Sequence, residues 1–159
     1  MEELIVEYLK NNHLKITTVE SCTGGMIATR IVGVSGASQV FEQGYVTYSN
    51  EAKQKMVNVN PDTINKYNVV SNEVAKEMAL GGMKVSGADI AVSVTGLAGP
   101  SGGTEEIPVG TVCIGVCDKN KCIAEKYVFE GDRQSIREYA CDKAFELLKN
   151  VFLKNTVNN

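Results

Sequence analysis

Apolar positions along the chain fall into two rhythms, a helical spacing of about 3.6 residues and short, nearly continuous runs, and the two alternate. Leu4, Ile5, Tyr8 and Leu9 share one stripe, which predicts an amphipathic helix over residues 2–12. Residues 14–19 are rich in β-branched side chains and predict a first strand. Met26, Ile27, Arg30 and Ile31 return to helical spacing, and Gly33-Val34-Ser35-Gly36 ends that helix. Residues 40–48 predict a second strand, with Gly44 as a candidate bulge. Ser49-Asn50 then caps a short helix containing Lys53 and Met56, and Pro61-Asp62 opens another turn or short helix. Ser71-Asn72-Glu73 begins a helix carrying Val74, Ala75, Met78, Ala79 and Met83. Gly81-Gly82 inside it costs about 1 kcal/mol per glycine against alanine, which points to the close approach of another element.

Residues 88–95 form an apolar run with small residues, as in a central strand buried on both faces. Residues 109–117 and 121–129 flank Asp118-Lys119-Asn120 and predict an antiparallel hairpin. Asp132 caps a long helix with Ile136, Ala140, Ala144, Leu147, Leu148 and Val151 on its core face, and the tail from Asn155 should fray. The fold class that follows is α/β: one three-layer α/β/α domain over residues 1–159, with a mixed sheet made of a parallel part and an antiparallel hairpin near the C-terminal end.

Composition narrows the function classes. The chain has 159 residues, 43% of them hydrophobic, enough for a single core. Its net charge is −3, and no run of lysine or arginine stands out, so nucleic acid is not an expected partner. No apolar run approaches the ~20 residues that span a bilayer, and Met1-Glu2-Glu3-Leu4 lacks a signal-peptide layout, so no membrane and a cytoplasmic location are expected. The five cysteines, an odd number with no secretory signal, are expected as reduced thiols. The spacing of Cys113, Cys117 and Cys122 matches no common zinc pattern, and no metal is expected. The one histidine, His13, is placed to end the first helix, which disfavours a Ser-His-Asp triad.

The candidate chemistry centres on Ser21, at a strand's carboxyl end facing a helix N-terminus. It reads as a nucleophile or, more blandly, as a helix cap. The N–H groups from Cys22 through Thr23, Gly24 and Gly25 should lack intrahelical partners and are candidates to hold an oxyanion or a phosphate. With histidine missing, lysine is the next candidate base. Lys53 sits near a helix N-terminus, whose dipole disfavours its ammonium form; otherwise it is a solvated helix lysine. The stretch Thr95-Gly96-Leu97-Ala98-Gly99-Pro100-Ser101-Gly102-Gly103 is a backbone nest for an anion or a long turn, and fits neither the dinucleotide nor the Walker pattern. Arg133 suits a phosphate or carboxylate, or a surface ion pair. Tyr48 is a candidate hydroxyl donor or a half-buried aromatic, and Cys22 is a minor candidate nucleophile.

Four stretches, Glu20-Ser21-Cys22-Thr23-Gly24-Gly25, Tyr48-Ser49-Asn50-Glu51-Ala52-Lys53, Thr95 to Gly103 and Gly131-Asp132-Arg133, resemble the motifs of the CinA carboxy-terminal domain family, in the family's order. The resemblance covers nearly the whole chain. It implies an amidohydrolase of the nicotinamide-nucleotide amidase type, which converts nicotinamide mononucleotide to nicotinate mononucleotide and ammonia without a cofactor. It further implies Ser21 as nucleophile, Lys53 as base, Tyr48 and Arg133 beside them, and Thr95 lining the pocket. A homodimer is implied as well. Many members carry a preceding nucleotide-pyrophosphatase domain with no counterpart in this sequence, so that activity is not expected. An amidase for another small amide and a non-enzymatic nucleotide-binding or regulatory module are the alternatives.

Overall fold

The computed structural model describes residues 1–153. Five strands form one sheet in the order β2-β1-β3-β4-β5. They are β1 (Ile16–Glu20), β2 (Tyr45–Val46), β3 (Ile90–Gly96), β4 (Thr111–Asp118) and β5 (Cys122–Val128). β1 runs parallel to β2 and β3, while β3–β4 and β4–β5 are antiparallel, so the sheet is mixed as the pattern predicts. β3 is the middle strand, and its first six residues are buried.

Helices cover both faces. α1 (Glu2–Asn11), α2 (Met26–Val32) and α6 (Arg133–Phe152) share the larger core, built on Leu9, Ile31, Ile114, Phe145 and Leu148. Full burial of side chains such as Phe145 and Leu148 contributes about 1.5–3 kcal/mol each. On the other face α3 (Asn50–Val57), α4 (Pro61–Tyr67) and α5 (Asn72–Ser86) close over a smaller cluster around Val19, Val57, Val74 and Met78. The glycine pair of α5 answers to close approach. A Cβ on Gly81 would meet the Val57 carbonyl oxygen of α3, and one on Gly82 would lie 2.4 Å from Val19 Cγ2.

Two expectations change. The strand predicted over residues 40–48 shrinks to Tyr45–Val46, with only an isolated bridge from Phe41 to Ile16 before it. Between them the Thr17 hydroxyl donates to the Gln43 carbonyl, which takes that carbonyl out of the ladder. Gly44 packs against Thr18 in the interrupted stretch. The second change concerns thiols. Cys117 and Cys122 face each other across β4 and β5 and are joined by a disulfide, whereas Cys22, Cys113 and Cys141 are free and buried. The expected fraying from Asn155 lies outside the described residues.

Candidate active site

The parallel strands β2, β1 and β3 end side by side, and their carboxyl ends line one cleft of about 280 Å³. Open α/β sheets leave a crevice there. Ser21 follows β1 directly; its N–H donates to Val94 of β3, so the ladder holds its backbone, and it is 7% exposed. Thr47 follows β2, and its N–H donates to the Glu20 carbonyl at 2.8 Å. Thr95 and Gly96 end β3.

Lys53 reaches this crevice from α3. Ser49 caps that helix by accepting from the Ala52 N–H, which fixes the phase of Lys53 one turn further on. The lysine is 1% exposed, and its ammonium donates to Ser21 Oγ at 3.0 Å and to the Thr47 carbonyl at 2.9 Å. The solvated-lysine alternative is thereby excluded. Burial lowers its pKa to about 8 from 10.5, against the weaker opposing pull of Cys22 and Glu51. Near neutral pH a fraction of the amine is therefore unprotonated, and the same contact then runs in reverse, with the serine O–H donating to the nitrogen.

Arg133 opens α6, whose N-cap Asp132 accepts from the Ser135 N–H. Arg133 forms no ion pair with Asp132. Its guanidinium donates to the Gly99 carbonyl at 2.7 Å and to Tyr48 Oη at 2.9 Å. Tyr48 is 62% exposed rather than half-buried, and with its oxygen accepting from Arg133 its own O–H is free to donate. Thr95 spends its hydroxyl proton on the Val69 carbonyl. Ser21, Cys22, Tyr48, Lys53, Thr95, Gly96, Gly99 and Arg133 thus share one cleft, with Asn50 and Ser101 also lining it. Thr23, Gly24, Gly25, Gly102 and Gly103 lie outside its lining.

The N-terminus of α2 differs from expectation in a specific way. Gly25 takes the N-cap position at φ 97°, and the helix's first orphan donors are not free. The Glu20 carboxylate, 1% exposed, accepts from the Ile27 N–H at 2.9 Å and the Ala28 N–H at 3.0 Å. The protein's own carboxylate thus occupies the place where an external anion was expected. The Cys22 N–H, by contrast, has no partner among the described residues. Burial pushes the Cys22 thiol up to about 11, which keeps it protonated at neutral pH.

Two residues escaped the sequence reading. Glu20 stood inside a quoted motif without a role. Arg137, one helical turn after Arg133, donates to the Cys22 carbonyl at 2.9 Å and to the Thr23 carbonyl at 3.2 Å. The spacing of the two arginines on one helix face was its only signal.

Among the described residues no group of three or more His, Cys, Asp or Glu side chains is placed to hold a metal ion, and no helix is long and apolar enough to cross a membrane. The profile of the CinA C-terminal domain matches residues 1–152. A putative competence-damage inducible protein of Caldicellulosiruptor saccharolyticus is 48% identical over 96% of this chain, and a CinA-like protein of Geobacter sp. is 46% identical over 96%. The chain spans about 37% of the length of each of these curated relatives. Among solved structures, a CinA superfamily protein of Klebsiella pneumoniae superimposes with a TM-score of 0.92 at 29% identity, covering 96% of both chains. A competence/damage inducible protein of Agrobacterium tumefaciens gives 0.86 at 35% identity, covering 92% of this chain and 93% of its own. By sequence over its described length and by fold, the chain belongs to the CinA C-terminal domain family.

Proposed function

We propose that this chain is an amidohydrolase that converts nicotinamide mononucleotide and water to nicotinate mononucleotide and ammonia through a serine–lysine pair. The observation that carries the reading is the buried contact of 3.0 Å between Lys53 Nζ and Ser21 Oγ, with the lysine pKa lowered to about 8. An amide is a poor electrophile, so the serine needs a base and the tetrahedral intermediate needs donors. Neutral Lys53 takes the Ser21 proton as Oγ attacks the carboxamide carbon. The Cys22 N–H is a candidate donor to the developing oxyanion. Lys53 then gives its proton to the nitrogen, the C–N bond breaks and ammonia leaves. Water, deprotonated in turn by Lys53, cleaves the ester and returns the serine.

The choice of a mononucleotide rests on charge. Lys53 and Arg133 are the charged side chains lining the cleft, and no acidic side chain joins them, which favours an anionic substrate. Tyr48, Thr95 and the Gly96–Gly99 stretch line the same cleft and are the proposed contacts for it.

Ammonia release from nicotinamide mononucleotide is the test. Wild type should release it, and Ser21→Ala should lose about a thousandfold or more with the fold intact. Normal turnover in Ser21→Ala together with none in Cys22→Ala would hand the attack to the thiol. Nicotinamide riboside, identical at the scissile bond, should be about a hundredfold poorer, because charge-assisted hydrogen bonds of roughly 1.5–3 kcal/mol are lost with the phosphate. Release from a different amide only would keep the chemistry and replace the substrate. A protein that binds the mononucleotide and releases nothing would be a binding module.

A further inference from the structure

We infer that Arg137 is a positioning residue for the nucleophile: from α6 it holds the turn that follows Ser21 by two successive carbonyls, and so keeps Ser21 Oγ within reach of Lys53. The inference rests on the serine–lysine reading above.

The turn needs an outside hold. Within it the Gly24 N–H donates to the Ser21 carbonyl at 3.1 Å and the Met26 N–H to the Thr23 carbonyl at 3.2 Å, but the Cys22 carbonyl has no backbone donor among the described residues and the α2 N-cap is a glycine with no side chain to cap with. The Thr23 hydroxyl is buried and has no partner among the described residues, so it fixes nothing. The fixed points come from either side. Glu20 on β1 ties down the start of α2, and Arg137 on α6 grips the Cys22 and Thr23 carbonyls with Nε and Nη2. Two donors of a rigid planar fork, set on adjacent peptides, fix an orientation as well as a distance, which a single ammonium cannot do.

The grip is itself placed. Arg137 Nη1 donates to Gln134 Oε1 on the same helix, and the Asp132 cap sets where that helix starts. Arg133 lies four residues earlier, on the same face, and holds Gly99 and Tyr48. One face of the first two turns of α6 therefore ties together the nucleophile turn, the glycine-rich loop after β3 and the end of the β2 segment. A displacement of about 1 Å at a reacting atom can cost on the order of a hundredfold in rate. A grip of this kind acts on the chemical step more than on substrate affinity.

The experiment compares wild type, Arg137→Lys and Arg137→Met. Circular dichroism and thermal unfolding first establish the folded fraction of each. Two rates are then measured per folded molecule: covalent labelling of Ser21 by a fluorophosphonate, which needs no knowledge of the natural substrate, and ammonia release from nicotinamide mononucleotide with kcat and KM separated. The expected result is labelling about 30- to 100-fold slower in Arg137→Met, with partial recovery in Arg137→Lys, which keeps the charge but not the fork. kcat should fall in parallel while KM stays within about twofold. Equal labelling rates in all three proteins overturn the inference, as does a deficit accounted for by unfolded protein or a change confined to KM. A wild type that resists the label overturns it together with the nucleophile assignment. Slower labelling in the variants, with no ammonia from the mononucleotide in wild type, supports the role of Arg137 and removes only the substrate.

Discussion

The helices on either side of Ser21, α2 and α3, both begin at the carboxyl end of the sheet, and each meets a charged side chain near its start. At α2 the charge is negative: the Glu20 carboxylate takes the Ile27 and Ala28 N–H groups, where a helix N-terminus favours an anion. At α3 it is positive: Lys53 is the fourth residue of the helix, buried with two neutral oxygens as acceptors. In the first arrangement two backbone donors meet the carboxylate and tie down the start of the helix. In the second, burial raises the energy of the ammonium and favours the neutral amine that the proposed base requires. The difference lies in the surroundings: backbone donors meet the Glu20 charge, whereas Lys53 is buried with no carboxylate hydrogen-bonded to it, and burial alone lowers its pKa.

The sharpest way to break that comparison is Lys53→Met, which keeps the bulk and removes the charge. Ammonia release should fall about a thousandfold or more. Lowering the pKa from 10.5 to about 8 corresponds to a burial cost of about 3 kcal/mol on the ammonium at neutral pH. Loss of the donor leaves the Ser21 and Thr47 oxygens without it, an opposing cost of about 1–3 kcal/mol for each that finds no other partner. The two effects largely offset, so denaturant unfolding at pH 7 should find the variant within about 3 kcal/mol of wild type. An inactive variant several kcal/mol less stable would show that Lys53 is held for structure.

Glu20→Gln probes the opposite member. The amide presents an NH₂ group to one of two helix donors and removes the charge, so unfolding should show a loss of about 2 kcal/mol or more. If stability is unchanged, the two helix starts differ less than their geometry indicates.

A graded effect is the one pH reveals. kcat/KM should rise about tenfold per unit below a pKa near 8 and level off above it, as Lys53 loses its proton. The folded-state pKa is the lower one, so between about 8 and 10.5 the unfolded chain holds more protons than the folded one. Stability from this group should rise with pH across that window, and its penalty should be constant below it. Lys53→Met should lack both the kinetic limb and the rise.

Much of this arrangement was legible because it is local. Ser49 three residues before Ala52, and Lys53 one turn on, are written within five positions, and the α3 cap follows from them. The hairpin and the central place of β3 follow from apolar runs and a turn triplet. Residues 40–48 misled because their apolar pattern is that of a strand, whereas the Thr17 hydroxyl competes for the Gln43 carbonyl, a contact no periodicity announces. The start of α2 was correctly placed but read as vacant, since no local pattern reveals that Glu20 turns back on the helix it precedes. Arg137 lies more than a hundred positions from the carbonyls it holds. The cysteine count said nothing of register, and it is register that sets Cys117 opposite Cys122.

The close fit of α5 on α3 carries a genetic corollary. Gly81 lies against the carbonyl of Val57, and Val57 stands one helical turn after Lys53. Any side chain at position 81 must push α3 outward, and Lys53 travels with it. An allele altered there would be scored with the loss-of-activity alleles, although its residue contacts neither the serine nor the lysine. A map of intolerant positions drawn over this surface would therefore extend along the α3–α5 seam, well outside the cleft, and would trace the support of the proposed catalytic pair as faithfully as the pair itself.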